Sequence, residues 1–278
     1  MPHMLNNELI LHHYTSGTGV LGMFDSDSIW ATQIHYLNDA KEFSHAIDQA
    51  RSYLFSISHK SSDGIFKGLC AGLSESLEQI SKLSLYVACF SGMEDSLSQW
   101  RGYCPPGFGY SIGFFANELR RIAKPQGFDL VQCIYEHTEK HQMVEAWAQE
   151  ALQQLRASLP AQSDPTSHAR EHAHKSFSGF AQFAPVLKDS AFRNEYEWRL
   201  VGLIPSTDQR IRLRSVRSML APYLPIQLNM QNNENLVWNI RVGPTPHKEL
   251  ASSALTHYFG KVKIRNGVGS SSVPYRDW

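Results

Sequence analysis

Residues 85–91 read Leu85-Tyr86-Val87-Ala88-Cys89-Phe90-Ser91, an almost wholly apolar run that ends in a serine. A continuous apolar run of this length predicts a buried strand. Two more strands are predicted over residues 109–114 and 129–135, and only the short helix 117–123 separates them. Because helices do not alternate regularly with these strands, the pattern favours an α+β protein with a mostly antiparallel or mixed sheet.

The segments on either side of this run continue the pattern. Further strands are predicted over residues 9–14, 28–32, 197–204, 210–213, 237–242 and 262–265. Apolar residues at helical spacing predict helices over 39–54, 69–80, 139–155 and 168–183, the first of them capped by Asn38 or Asp39. No internal repeat is present, so we expect one α+β domain over residues 1–278, with a helical excursion at about 137–185 within it.

The charge balance excludes a broad nucleic-acid interface. The 278 residues carry 26 Lys and Arg against 26 Asp and Glu, for a formal net charge of zero. A protein that neutralises many phosphates normally has a basic excess or a basic face. Any nucleic-acid contact would therefore be local, as at a patch made of Arg210, Arg212, Arg214 and Arg217.

Cysteine spacing and hydropathy indicate the compartment. The 4 cysteines, Cys70, Cys89, Cys104 and Cys133, form no CxxC pair that would chelate zinc or exchange thiols. The first residues contain neither a basic region nor a long apolar run, and no stretch approaches the roughly 20 apolar residues that span a bilayer. We therefore expect a cytoplasmic protein with reduced cysteines and no membrane partner.

Residues 17–22, Gly17-Thr18-Gly19-Val20-Leu21-Gly22, match the dinucleotide-binding pattern GxGxxG. The next predicted strand begins near Ser28, whereas the crossover of a βαβ unit needs about a dozen residues or more. A Rossmann unit therefore does not fit, and we interpret the glycines as a turn that opens a short helix.

Two groups of histidines have a spacing that suits metal binding on a helix. They are His137 with His141, and His168 with His172 and His174. A zinc site also needs a third ligand and, for hydrolysis, a general base, and the HExxH order of a zinc hydrolase is absent from both groups. We interpret them as solvated helix faces and expect no metal.

Residues 89–103 are dense in hydrogen-bonding groups directly after the predicted strand. Loops beyond strand ends often carry binding residues on a rigid scaffold. An amphipathic turn with Leu97 and Trp100 packed inward explains the apolar residues, but it does not explain Ser91, Gln99 and Arg101. A structural and a functional interpretation both remain open here.

Residues 195–200, Glu195-Tyr196-Glu197-Trp198-Arg199-Leu200, alternate between polar and apolar. In a strand, Glu195, Glu197 and Arg199 would share one face. The local pattern alone favours a solvated face with cross-strand ion pairs, because charged strand faces are usually exposed. The alternative is a cleft where a carboxylate meets developing positive charge.

Several short motifs occur in an order that resembles the bacterial domain of unknown function 2971 family. The motifs are His13-Tyr14-Thr15, Ile29-Trp30-Ala31-Thr32, Leu37-Asn38-Asp39 with Glu42, Cys89-Phe90-Ser91 with Asp95, Gln99-Trp100 with Tyr103, residues 107–114, residues 195–200, Val242-Gly243-Pro244 and residues 272–276. The resemblance spans nearly the whole chain, and the histidine-rich region departs from it most. The family name implies no activity.

A second resemblance does imply an activity. A histidine followed by Tyr-Thr in the first strand, a serine that ends a middle strand and a late Glu-x-Glu together resemble the ADP-ribosyltransferases. In those enzymes a split β-sheet binds NAD in an extended groove that is not a Rossmann site. The resemblance therefore implies a split mixed or antiparallel sheet, with NAD as a substrate.

The resemblance also implies roles for individual residues. Cleavage of the bond between ribose and nicotinamide forms an oxocarbenium-like cation, which a carboxylate stabilises. Glu197 would stabilise that cation and contact the ribose hydroxyl, and Glu195 would orient or deprotonate the acceptor. The other implied roles are NAD-binding ones: His13 and Thr15 on the adenosine-side ribose, Ser91 bracing Glu197, Tyr14 or Tyr103 stacking on nicotinamide, and Arg101 on the pyrophosphate.

We therefore expect an NAD-dependent ADP-ribosyltransferase that modifies an intracellular macromolecule, protein or nucleic acid. The resemblance suggests a toxin or phage-defence role, with an antitoxin as a candidate partner. The alternatives are an NAD glycohydrolase and a non-catalytic nucleotide-sensing or binding module of the same fold. A nuclease would need a metal-binding carboxylate cluster, and Asp39, Glu42 and Asp95 are too scattered in sequence to predict one.

Overall fold

A computed structural model describes residues 2, 4–5, 8–37, 40–80, 82–105, 108–216, 218–258 and 264–274, without the side chains of residues 40 and 41. The strands there are β1 (Met4–Leu5), β2 (Glu8–Thr15), β3 (Ser28–Gln33), β4 (Leu85–Ser91), β5 (Tyr110–Phe115), β6 (Asp129–Gln132), β7 (Glu197–Leu203), β8 (Arg212–Val216), β9 (Met219–Gln227), β10 (Val237–Val242) and β11 (Val268–Ser270). The α-helices there are α1 (Gly17–Ser26), α2 (Ala40–Lys60), α3 (Gly64–Ile80), α4 (Leu97–Tyr103), α5 (Ala116–Ala123), α6 (His137–Ala157), α7 (Pro165–His172), α8 (Phe177–Phe183) and α9 (Lys248–Tyr258). The predicted α+β class is confirmed.

One sheet contains all of these strands, and β4 is its branch point. The main order is β11-β10-β5-β2-β4-β3-β9-β8; β7 and then β6 continue from β4 on a separate branch, and β1 pairs with β2. Among the described strands, β10 and β11 pair in parallel and the other pairs are antiparallel. The sheet is therefore mixed and mostly antiparallel.

The sheet forks along β4. Strand β7 pairs with β4 over its whole length. Strand β2 pairs with β4 only at Ser91, and β3 pairs with it only at Tyr86 and Val87. Cys89 lies between these two short contacts, so β2 and β3 diverge around it and leave a gap, called here the fork.

Two hydrophobic clusters cover the two faces of the sheet, because successive strand side chains point to opposite sides. Leu85 and Val87 belong to the cluster formed with α2, α3, α6, α7 and α8. Tyr86, Ala88 and Phe90 belong to the cluster formed with α1, α5 and α9. The region 137–185 thus supplies a large part of one core layer.

Several segments differ from the predictions. Helix α2 continues to Lys60, and the predicted helix 168–183 is divided into α7 and α8 by the 3-10 segment Ala173–Ser176. The predicted strand 262–265 lies partly outside the described residues, and its residues 264–265 are not in a strand. The predicted helix caps Asn38 and Asp39 also lie outside the described residues.

Helix α1 explains the glycine pattern. Ser16 caps the helix by accepting a hydrogen bond from the Gly19 amide at 3.1 Å. A Cβ at Gly19 would lie 2.0 Å from Thr15 Oγ1, so the close approach of α1 to β2 favours glycine there. Strands β2 and β3 are not sheet neighbours, which agrees with our rejection of a Rossmann unit.

The histidine prediction is only partly correct. His137 and His141 are exposed, but His168 is buried, stacks on His172 at 4.3 Å and lies 3.1 Å from Ser158 Oγ. Within the described part of the chain, no group of three or more His, Cys, Asp or Glu residues is arranged to hold a metal ion. The described helices also include none that is long and apolar enough to cross a bilayer.

Candidate functional site

A pocket opens at the fork, beside the end of β4. Its empty volume is about 320 Å³, including space open to solvent. Six of the residues predicted for the site line it: His13, Tyr14, Ser91, Tyr103, Glu195 and Glu197. His12, Cys89, Phe90 and Gln99 complete the lining. Because that figure includes the open mouth, the enclosed space, about 50 Å³, is smaller than a typical small-molecule site.

A buried ionic cluster forms one side of the pocket. Arg199 Nε donates to Glu197 Oε1 at 2.8 Å, and Arg199 Nη2 donates to Glu197 Oε2 at 3.1 Å. Lys188 Nζ donates a hydrogen bond to Glu197 Oε2 and forms an ion pair at 2.8 Å with Glu195 Oε2. Glu42 Oε2 lies 3.6 Å from Arg199 Nη2. At formal charges, three carboxylates and two cations leave one net negative charge.

The cluster keeps its central carboxylate ionised. Burial alone would raise the pKa of Glu197, but Arg199 and Lys188 outweigh it and lower that pKa to about 2. Burial opposes the positive charge of Lys188, yet Glu197 and Glu195 raise its pKa above the ordinary value. Burial also opposes the charge of Arg199, whose pKa Glu197 raises. The charged form of the cluster is therefore the stable one at neutral pH.

The predicted solvated face of residues 195–200 is wrong. Glu197 and Arg199 are 3% and 1% exposed because the helices of the first cluster cover this face of β7. Glu195 does not belong to the strand. It ends the 3-10 segment Ser190–Glu195, and Tyr196 then takes the left-handed conformation with φ 46°. This turn brings the Glu195 side chain to Lys188 from outside the strand.

Ser91 does not brace Glu197 as we expected. Its hydroxyl donates to the backbone carbonyl of Glu195 at 2.6 Å and accepts from the Met93 amide at 3.1 Å. The Gly92 amide donates to the Tyr196 carbonyl at 2.8 Å. These bonds join the end of β4 to the turn before β7, so Ser91 fixes the backbone that carries Glu195.

His13 closes the fork. Its Nδ1 lies 3.0 Å from the Cys89 carbonyl, which can only accept, so Nδ1 carries the hydrogen and Nε2 is left as an acceptor. Burial lowers the pKa of His13, the bond to Cys89 raises it, and the charge of Arg214 lowers it. His13 is therefore a neutral imidazole at neutral pH, which suits a hydroxyl group as its partner.

The two tyrosines proposed for stacking differ in how firmly their side chains are held. Tyr14 is buried; its hydroxyl donates to the Met93 carbonyl at 2.7 Å and accepts from the Ser96 amide at 3.1 Å. Its ring meets Trp100 edge to face at 4.6 Å. Tyr103 is 40% exposed and lines the pocket from α4. Of the two, Tyr103 is the side chain that can adjust to a ligand ring.

Two predicted binding residues lie outside the pocket lining. Thr15 ends β2, and its side chain faces Gly19 of α1. Arg101 is exposed on α4, where Gln99 and Tyr103 face the pocket. Residues two apart on a helix point about 200° apart, so Arg101 points away from the side that carries Gln99. Neither the Thr15 nor the Arg101 prediction gains support from this geometry.

The prediction gave no role to three residues that shape the site. Lys188 follows an apolar run between two 3-10 segments, and nothing in its local pattern relates it to Glu197. Gln99 and His12 line the pocket although we assigned them no role. For His12, strand alternation and its position opposite Ser91 were the only signal, and that pairing requires the sheet order.

The fold and the pocket define an α+β protein with a forked, mostly antiparallel sheet and a buried carboxylate–cation cluster at a small polar site. Residues 99–200 match the family described as "Protein of unknown function (DUF2971)". This match supports the predicted DUF2971 resemblance over residues 99–200, a stretch that contains Gln99, Lys188, Glu195 and Glu197. No curated protein and no solved structure matches the chain at a significant level.

Proposed function

We propose that the protein is an NAD-dependent ADP-ribosyltransferase whose fork pocket receives the nicotinamide-ribose end of NAD. One observation carries this proposal. Six residues selected from the resemblance, from His13 near one end of the chain to Glu197, line a single pocket. The forked sheet, in which β2 and β3 diverge along β4, is consistent with the split sheet of that class.

The chemistry follows from the charges of the site. The bond between ribose C1′ and the nicotinamide nitrogen breaks, and its electron pair leaves with nicotinamide, which becomes neutral. The ribose develops positive charge beside a cluster whose formal charge is minus one. Opposite charge in a desolvated site stabilises this state. The acceptor then gives a lone pair to C1′ and loses its proton.

The two carboxylates take different parts in this proposal. The side chain of Glu195 is 14% exposed and that of Glu197 is 4% exposed. Glu195 is thus the better placed of the two to take the proton of an acceptor. Glu197 contributes a permanent negative charge at the pocket wall and holds Lys188 and Arg199 in position. Because His13 lines the same pocket as Glu195 and Glu197, its Nε2 accepts from a hydroxyl of the nicotinamide-side ribose in this proposal, and not from the adenosine-side ribose that the resemblance implied. Tyr103 stacks on the nicotinamide ring.

A second candidate function has its own supporting observation. Both oxygens of Glu197 are already engaged by Arg199 and Lys188, so its charge is largely compensated before any ligand binds. A pocket of this kind suits a non-catalytic module that binds NAD or another nucleotide. An NAD glycohydrolase remains the third possibility within the same chemistry, with water as the acceptor.

The test combines NAD labelled in its adenylate part with a bacterial lysate. For the transferase, we expect nicotinamide release together with labelled macromolecules. Glu195→Gln should slow both by about a hundredfold or more, as loss of a general base does. Glu171→Gln removes an exposed carboxylate of α7 and should leave both unchanged.

The other outcomes separate the alternatives. Nicotinamide release without labelled macromolecules selects the glycohydrolase. Saturable stabilisation by NAD against heating, without turnover, selects the binding module, since a ligand of the native state raises the apparent stability. Absence of turnover, labelling and stabilisation overturns the proposal.

A further inference from the structure

A second surface lies on the β3–β9–β8 arm of the sheet. Its residues are Trp30, Arg212, Arg214 and Tyr223, called here the stacking surface. Thr32 pairs with Val87 of β4, and Tyr223 pairs with Thr32 and Arg212. Paired residues share a face, and so do alternate residues of one strand. Val87 shares its face of β4 with Cys89, so the stacking surface lies on the same sheet face as the pocket.

Aromatic rings and a guanidinium form the centre of this surface. Trp30 is 37% exposed, and its ring centroid lies 4.5 Å from that of Tyr223. The guanidinium carbon of Arg214 lies 5.9 Å from the Trp30 ring centroid. Single-stranded nucleic acids bind proteins through such groups, because unpaired bases stack on aromatic rings and on guanidinium planes.

The four arginines of the predicted basic patch differ in how far they are engaged, and Arg212 Nη1 donates to the backbone carbonyls of Gln209 and Ile211. Arg210 is neutralised by Asp208 at 2.8 Å, and Arg217 lies outside the described residues. Arg214 Nη2 donates to Thr32 Oγ1 at 2.9 Å, whereas its Nε is buried and has no hydrogen-bond partner among the described residues. A buried guanidinium donor without an acceptor indicates a place for an incoming acceptor such as a phosphate oxygen.

The stacking surface is close to the pocket. Thr32 lies opposite Val87, which is two residues along β4 from Cys89 of the pocket lining. Val87 and Cys89 are about 7 Å apart along β4, and β3, β9 and β8 lie about 5, 10 and 15 Å to the side of β4 at about 4.8 Å per strand. Arg214 also acts on the pocket electrostatically. Burial has the largest effect on the pKa of His13 and the hydrogen bond to Cys89 the next, and the positive charge of Arg214 lowers this pKa further. One extended ligand can therefore contact both.

We infer that the acceptor of the ADP-ribosyl group is a single-stranded nucleic acid. One unpaired base stacks on the Trp30–Tyr223 pair, and the adjacent phosphate binds Arg214 and Arg212. A neighbouring nucleotide then reaches the pocket. Its nucleophilic nitrogen or oxygen forms the bond to ribose C1′, its proton goes to Glu195, and nicotinamide leaves with the electron pair of the broken bond. This inference rests on the proposed function.

The neutral net charge of the chain is compatible with this inference. A local site of two cations releases few counterions, so it gives modest affinity with a weak dependence on salt. Stacking supplies the rest of the affinity and requires bases that are not paired. The surface therefore selects single strands over duplexes, unlike a broad basic face.

The test measures binding without NAD, so it does not depend on catalysis. The intact protein is titrated into a fluorescently labelled twelve-nucleotide single strand, as RNA and as DNA, and into the corresponding duplexes, with anisotropy as the readout. We expect saturable binding of a single strand and weaker binding of its duplex. Trp30→Ala should weaken single-strand binding by about tenfold, the usual effect of losing one base-stacking ring.

Matched variants control for general effects. Phe55→Ala removes another exposed aromatic side chain, on α2, and should leave affinity unchanged. Arg214→Gln should weaken binding and reduce the salt slope by about 0.7, the value for one phosphate contact on a single strand. Arg120→Gln, which removes an exposed cation of α5, should change neither. Melting curves confirm that each variant is folded.

The results also separate this inference from the proposed function. If the protein cleaves NAD but binds no single strand, or if Trp30→Ala binds like wild type, the acceptor inference is wrong and the proposed function stands. If it binds the strand through Trp30 but neither cleaves nor transfers from NAD, the proposed function is wrong. If Trp30→Ala instead changes the oligomeric state, the surface is a protein interface and the inference fails.

Discussion

From the buried ionic cluster we predict how much folding free energy the substitution Glu197→Gln removes. This change removes the negative charge that both Lys188 and Arg199 contact, and it keeps the size of the side chain. The pKa of Glu197 is about 2 in the folded protein against an ordinary value of 4.5. That difference corresponds to about 3 kcal/mol of folding free energy at neutral pH. Removal of one partner from a buried ion pair usually costs about 3–5 kcal/mol.

We expect the lower end of that range. Lys188 keeps Glu195 at 2.8 Å, and Arg199 keeps Glu42 at 3.6 Å, so neither cation is left wholly uncompensated. A loss of about 3 kcal/mol should lower the melting temperature by about 6–12 °C in a chain of this size. Urea unfolding at pH 7 measures the free-energy difference directly, and Glu171→Gln serves as the exposed control.

The pH dependence of this stability difference tests whether Glu197 is ionised in the folded protein. A carboxyl whose pKa is lower in the folded state stabilises the protein above its unfolded pKa and loses that effect as pH falls through the folded pKa. The difference between wild type and Glu197→Gln should therefore be full above pH 5 and fall to about half by pH 3. A difference below about 1 kcal/mol at pH 7, or one that stays constant down to pH 3, would refute the ionised cluster.

Three further outcomes follow from packing and burial. Gly72→Ala should destabilise by about 1–3 kcal/mol, because its Cβ would lie 2.2 Å from the Thr166 carbonyl where α3 meets α7; urea unfolding checks this. Gly22→Ala, at a position in α1 with nothing within 4 Å, should instead stabilise by about 0.5–1 kcal/mol, and an equal loss in both variants would contradict the packing argument. Burial raises the pKa of the Cys133 thiol, so it should react slowly with Ellman's reagent at pH 8 and rapidly in guanidinium; fast reaction in the native protein would contradict its burial.

The sequence predicts a strand or helix best where burial of its side chains produces a clear hydrophobic pattern. The predicted bounds of β4 and β10 agree with the structure, because β4 is an apolar run and β10 alternates between apolar and polar residues from Trp238 to Val242. Strand β9 has no such pattern, since it contains Pro222 and Pro225, which disfavour a strand within a sheet. They are accommodated opposite Leu213 and Trp30, and only the completed sheet order reveals that pairing.

The site residues likewise include some that the sequence predicts and some that it does not. Ser91 and Glu197 can be selected from their positions at strand ends, because the residues beside them make the strands predictable. Lys188 cannot, since its contact with Glu197 depends on how the segment before β7 folds back over the strand. Local alternation also predicts which residues share a face, but not whether helices cover that face. For this reason Glu197 and Arg199 are buried where a solvated face was expected.

The central claim is that the fork pocket receives the nicotinamide-ribose end of NAD. The most direct measurement is a crystal structure of the protein with an NAD analogue whose bond to nicotinamide cannot be cleaved. The proposal predicts the analogue's nicotinamide ring against Tyr103, its ribose hydroxyls within hydrogen-bond distance of His13 Nε2, and its C1′ facing Glu195 and Glu197. An analogue bound elsewhere, or an empty pocket at saturating analogue, would contradict the claim.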